Sequence, residues 1–155
     1  MKILQKREQG FTLIEIVLVL AIAGLILLMV FLAVLGAQTS RRDTQRKEDV
    51  SRIASQLEAY ASNNQGAYPK TNAELNTAAT SLKVAYLTPA SDYDDPTTGK
   101  AYVLTLTNAQ PAALGDVSYD LGFDCNGSAM QAAAANDYAL VMDLEQGDAC
   151  RSNGN

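Results

Sequence analysis

The sequence predicts an α+β protein in which one long N-terminal helix packs on a small antiparallel β-sheet. Three observations carry this expectation. Residues 16–37, IVLVLAIAGLILLMVFLAVLGA, form an uncharged apolar run. Beyond them Val50, Ile53, Ala54, Leu57, Tyr60 and Ala61 recur at helical spacing on one face. The C-terminal half then offers three stretches with strand character: 101–107, rich in β-formers, and 117–123 and 138–144, where large apolar residues alternate with smaller or polar ones. A sheet with one face on the amphipathic half-helix closes such a domain.

The apolar run is the first element. Its 22 residues, at about 1.5 Å each, cover about 33 Å, enough for a bilayer core of about 30 Å. Sixteen of them are Leu, Ile, Val, Phe or Met, which favours insertion by of order 5–10 kcal/mol. Glu15 stands at the N-terminal edge of the run, where it costs less than the roughly 3 kcal/mol of a carboxylate at mid-bilayer. Insertion therefore wins with the acid present, and an acid in that position calls for a function. A cleavable secretory signal has a shorter apolar core of about 7–15 residues. The best exit, Val34-Leu35-Gly36, is a mediocre cleavage site with no cysteine after it to accept lipid. A plain anchor explains the length but gives Gly10 and Glu15 no role. Basic residues flank both ends of the run, so charge asymmetry does not set the topology.

The helix should continue past the membrane to about residue 64, a length of about 80 Å. Asp43 with Lys47, and Glu48 with Arg52, are acid-before-base pairs four apart that support an exposed face. Arg41, Arg42, Arg46 and Lys47 are interleaved with Asp43, Glu48 and Asp49, which reads as a solvated helical face rather than a nucleic-acid or lipid patch. Gly24, inside the apolar half, permits close helix packing or local unwinding. Gly66, with Pro69 beyond it, stops the helix. Thr71 with Glu74 is a capping box that opens a short helix over 72–83. Asp95-Pro96-Thr97-Thr98-Gly99 reads as a turn. Asp92, Asp94 and Asp95 could be weighed as calcium ligands, but their spacing does not match an EF-hand. Gly99-Lys100 lacks the first glycine and the hydroxyl of a phosphate loop. The run 132–135 is expected as a loop or helical turn, and Gln146-Gly147 ends the last strand.

Charge is unevenly spread along a chain of net charge −5. From residue 63 onward Lys70, Lys83, Lys100 and Arg151 face eleven acids, which argues against bulk nucleic-acid binding there but leaves room for a small local patch. There is no histidine, so the commonest general base and the commonest zinc ligand are both missing. No cofactor and no metal is expected, and no catalytic residue; only a Ser–Lys device stays open to an enzyme. The two cysteines, Cys125 and Cys150, lie far beyond the membrane segment, and a disulfide in an oxidising compartment or two buried thiols would use them. A simple hairpin of the last two strands would put them at opposite ends, too far apart for a bond. The bond is expected, with the tail after Gly147 folding back or the strands in another order. Asn126-Gly127-Ser128 fits a glycosylation acceptor, a match that arises often by chance.

Around Gly10, KREQG followed by FTLIE resembles the prepilin signal of type IV pilins and type II secretion pseudopilins. The leader is basic, Gly10 precedes an aromatic residue, and Glu15 is fifth after the glycine. The resemblance implies a leader over 1–10, cut after Gly10 by a membrane peptidase, and N-methylation of Phe11. It implies a transmembrane and filament-core helix over 11–37 and an extracytoplasmic pilin head over 38–155 that includes the half-helix 38–65. It also implies that Glu15 of one subunit pairs with the Phe11 ammonium of a neighbour, a pairing that low dielectric strengthens. NQGAYP, the Asp-Pro-x-x-Gly turn and the ending DLEQGDAC are similar to the linker and C-terminus of pilin-like proteins. Many pilins carry a proline in the membrane helix; none is present here, and no kink is carried over. The implied protein is a structural subunit, not an enzyme. Its implied partners are copies of itself, minor pilins, the prepilin peptidase, an assembly platform with its ATPase, and the membrane. As precursor it would be a single-pass protein of the cytoplasmic membrane with its N-terminus inside. Once assembled it would form an extracellular pilus or, as a pseudopilin, a periplasmic pseudopilus. An anchored extracellular enzyme and a sugar- or DNA-binding minor pilin are the rival readings.

Overall fold

A computed structural model describes residues 10–77 and 79–154. The expected leader, with Lys2, Lys6 and Arg7, lies outside the described residues except for Gly10. The chain divides into two compact units, 1–38 and 39–155. In the first, helix α1 (Leu13–Asn63) begins and exposes large apolar side chains, from Leu13 at 82% to Val34 at 46%. It is long and apolar enough to cross a membrane. A helix apolar on every side is stable only when lipid or other helices cover it.

In the second unit α1 continues from Thr39 and turns amphipathic. Val50, Ile53, Ala54, Leu57, Tyr60 and Ala61, the stripe expected from spacing, are all buried. Asn64 and Gly66 amides close on Tyr60 and Ala61 carbonyls, and the chain leaves through Gln65 and Gly66, both at positive φ. The stripe rests on a four-stranded sheet built from β1 (Val103–Leu106), β2 (Asp116–Leu121), β5 (Tyr138–Leu144) and β6 (Gly147–Ser152), in that spatial order. Leu104, Val117, Tyr119, Tyr138, Leu140 and Met142 face the helix in one core. Each fully buried Leu or Ile there contributes about 1.5–3 kcal/mol.

The sheet is not wholly antiparallel as expected: β1 and β2 pair parallel, with Val103 opposite Asp116 and Leu106 opposite Tyr119. Alternation is the same for both senses of pairing, so only the connection distinguishes them. Residues 107–115, with Pro111 and Gly115, are too many for a tight turn and carry the chain back to start β2 beside Val103, whose amide donates to Gly115. The free edge of β1 is closed by side chains: Asn76 donates to the Leu104 carbonyl and Asn72 accepts from the Leu106 amide, both at 2.9 Å.

Two further departures have local causes. Helix α2 spans only Asn72–Asn76, opened by the Thr71 and Glu74 capping box, rather than 72–83. Asn76 turns its amide to β1, and Ser81 caps a separate turn over Leu82–Tyr86 by accepting from Val84; Ala78 lies outside the described residues. The expected strand 117–123 breaks at Gly122 (φ 77). Beyond it β3 (Phe123–Asn126) and β4 (Ala129–Ala132) form a hairpin of their own, so Ala132 ends a strand. That hairpin packs on β5 and β6.

The cysteine difficulty resolves in the same place. Glu145 and Gln146 make a tight turn, and β6 returns along β5 with Cys150 opposite Val141. Gly147 thus begins a strand instead of ending one. Cys150 shares the sheet face away from α1, where β3 presents Cys125 at a Cα distance of 5.7 Å, and the two form a disulfide. Closing a loop of 25 residues is worth roughly 3 kcal/mol through the unfolded chain.

Candidate functional site

Gly10 and Phe11 lie exposed ahead of α1, Phe11 at 85%. Nothing stands within 4 Å of the position a Cβ on Gly10 would take, so the backbone at this bond is open to approach. Thr12 is the N-cap. Its amide and its hydroxyl both donate to Glu15 Oε2, at 2.8 and 2.7 Å, and Glu15 N–H donates to Thr12 Oγ1 at 3.4 Å. Thr12-Leu13-Ile14-Glu15 is therefore a capping box, with its carboxylate at the positive end of the helix dipole. The pattern is the one read at Thr71 and Glu74; at Thr12 the sequence reading passed over it, because the acid was weighed as a membrane charge. The box holds the Glu15 carboxylate on Thr12, the residue that follows Phe11. Gly10, Phe11 and Glu15 thus lie within six residues of one chain.

The head holds a second constellation, which departs from the solvated face expected of 41–47. Arg46 is fully buried. Its guanidinium meets Asp95 at 2.7 Å, Asp43 at 3.0 Å and Glu145 at 3.2 Å, and donates to Thr97 Oγ1 at 2.6 Å. Asp43, also buried, accepts from the Glu145 and Gln146 amides. Arg42 clasps Glu145 with two bonds, 2.5 and 2.7 Å. The expected pairs of Asp43 with Lys47 and Glu48 with Arg52 give way to Asp43 with Arg46 and Asp49 with Arg52, three apart. Asp49 is buried too and accepts from Tyr102 Oη at 2.6 Å. One network thus ties α1 to the Asp-Pro turn and to the turn between β5 and β6.

The same network decides the acids of the Asp-Pro turn. Asp95 accepts from the Thr97 and Thr98 amides, both at 2.9 Å, besides Arg46, and it does not converge with Asp92 and Asp94. No group of three Asp, Glu or Cys arranged for a metal ion occurs among the described residues. Gly99 (φ 63) donates to the Asp95 carbonyl, closing a turn. Asn126, Gly127 and Ser128 are exposed at the tip of the β3–β4 hairpin.

Electrostatics follow from these contacts. The Arg42 guanidinium foremost, against the cost of burial and with help from Arg46, holds the Glu145 carboxyl down at about 2. Burial works against the charge of Asp95, but Arg46 and the Thr97 and Thr98 amides outweigh it and hold its carboxyl low. Both carboxyls sit below their unfolded values. Their stabilisation is therefore present above the unfolded range near pH 4 and is lost as pH falls towards about 2. Thermal unfolding followed from pH 6 to pH 2 should show a midpoint falling most steeply below about pH 4. Glu145→Gln should flatten that slope; an unchanged slope would remove Glu145 from the network.

Residues 5–31 match the model of the prokaryotic N-terminal methylation motif, the prepilin signal of type IV pilins and pseudopilins. No curated protein and no solved structure matches the chain.

Proposed function

We propose that this chain is a prepilin, the structural subunit of a type IV pilus-like filament, cut after Gly10 and N-methylated at Phe11. The observation that carries the reading is the methylation motif over 5–31, in which the accessible Gly10 precedes a capped helix start whose first turn holds Glu15 ahead of the apolar run. The signal and the apolar helix fit a membrane-anchored precursor. In the proposed topology the leader is cytoplasmic, 11–37 spans the membrane and then the filament core, and 38–155 is the head outside the cytoplasm. The disulfide of Cys125 and Cys150 suits an oxidising compartment.

Cleavage creates an ammonium at Phe11, and assembly brings it to Glu15 of a neighbour. The apolar surface of 16–37 then passes from lipid to other helices. Leaving the bilayer costs of order 5–10 kcal/mol, so an assembly platform with an ATPase is the proposed motor, alongside the prepilin peptidase and minor pilins. The role is structural rather than catalytic. The same signal serves type II secretion pseudopilins, the alternative reading, and filaments confined to the periplasm would select it.

Mass spectrometry of the natural N-terminus tests the processing. The chain should begin at methylated Phe11. A start at Met1, or after Gly36, would refute the prepilin reading.

A further inference from the structure

The sheet face turned away from α1 carries a row of carboxylates. Strand alternation puts Asp116, Asp143 and Asp148 on that face, opposite the core-facing Val117 and Met142. Asp143 pairs in register with Asp148, and one step past Val117 and Met142 the same register sets it opposite Asp116. Like charges directly opposite one another oppose strand pairing. Among the described residues no Lys or Arg forms an ion pair with any of the three. Arg46 favours the Asp143 charge only from a distance, being committed to Asp43, Asp95 and Glu145. Burial, and then the Asp148 and Asp116 carboxylates, push Asp143 above the usual carboxylate range.

The opposite charge stands unmatched elsewhere on the same head. Arg41 and Lys47 are exposed on α1 and make no ion pair among the described residues. Arg41 borders an open groove of about 600 Å³ together with Thr44, Glu48 and Arg52. Arg41 and Lys47 are six residues apart, about 9 Å along the helix. Two strand spacings, from Asp116 across Asp143 to Asp148, also amount to about 9.5 Å. The two cations point roughly 120° apart around α1, and their long stems let both heads reach one docked surface.

We propose that the row of Asp116, Asp143 and Asp148 on one copy docks against Arg41 and Lys47 on α1 of a second copy. The inference rests on the filament reading above and names the head contact within that filament. A copy, rather than another basic protein, fits because one chain carries both surfaces on different faces. Such a contact is heterologous: each copy uses one face up and the other down, and the series stays open, as a filament requires. The Arg41 fork can donate to two carboxylate oxygens of the row at once.

Charge reversal tests this in full-length protein processed and assembled in cells. Arg41→Glu and Asp148→Lys should each lower filament yield by about tenfold or more, because each brings like charges together at the contact. The double variant should return to within about twofold of wild type, as the pair is restored in reverse. Single variants with wild-type yield would overturn the docking. So would a double variant no better than the singles. A wild-type chain that forms no filament would overturn the filament reading itself. Arg41→Cys and Asp148→Cys within one chain, joined by a short bismaleimide, give an independent readout. A ladder of cross-linked copies from filaments is expected, and monomer alone would overturn the assignment even where the charge variants fold poorly.

Discussion

Replacing Arg46 with alanine should lower the thermal midpoint of the head by roughly 10–20 °C. The side chain is completely buried and holds Asp95, Asp43 and Glu145 within 3.2 Å. Two of those acids are themselves buried. Removing the cation leaves their charges in a poorly solvated site, a loss of about 3–5 kcal/mol. Lysine should not restore the site, because one ammonium cannot reproduce a guanidinium that reaches Asp95 from Nε, Asp43 and Glu145 from Nη1 and Thr97 from Nη2. Removing both signs together is gentler: Arg46→Met with Asp95→Asn should recover part of the loss, since neither charge is then stranded. Near-UV circular dichroism of full-length protein in detergent, read through the buried Tyr102 and Tyr119, reports the transition. A loss below about 1 kcal/mol would place the network among solvated surface pairs instead.

That network shows where sequence reading reached its limit. Apolar spacing identified Val50, Ile53 and Leu57 as the buried stripe, because burial of such residues needs no partner of special chemistry. Asp43 and Arg46 extend the same stripe backwards at intervals of three and four, so their position was legible. Their charge argued the other way, and the acids that make burial possible lie far along the chain, Asp95 by 49 positions and Glu145 by 99. A charged residue in phase with an apolar stripe is the signal that could have found them. The parallel pairing of β1 with β2 was hidden because alternation carries no direction. The β3–β4 hairpin was hidden because Ala129 and Ala132 have little strand preference, leaving only the turn at Gly127 to announce it. The N-terminal segment was the most legible part, since the methylation motif over 5–31 is carried by order along the chain and needs no tertiary contact to be recognised.

Glu15→Ala and Glu15→Gln should both leave precursor inserted and cut, and both should abolish or severely reduce filaments. Insertion survives because loss of the acid can only favour the apolar run, by up to roughly 3 kcal/mol. Cleavage survives because Gly10 and Phe11, the residues at the proposed bond, are unchanged. The pair of variants separates two roles of one carboxylate. In the isolated chain Glu15 closes the capping box with Thr12, and glutamine can take the same place in that box, whereas alanine frays the helix start by about 1 kcal/mol. The role proposed for assembly needs the charge, to meet the Phe11 ammonium of a neighbour in low dielectric. A stranded ammonium would then oppose each docking step by about 3–5 kcal/mol, or roughly a hundredfold to several thousandfold in association. The two variants should therefore fail alike in sheared filament yield while their precursors insert alike. Filaments of normal yield from Glu15→Gln, with failure only in Glu15→Ala, would instead make the carboxylate a helix cap and leave the neighbour's ammonium without the partner assigned to it.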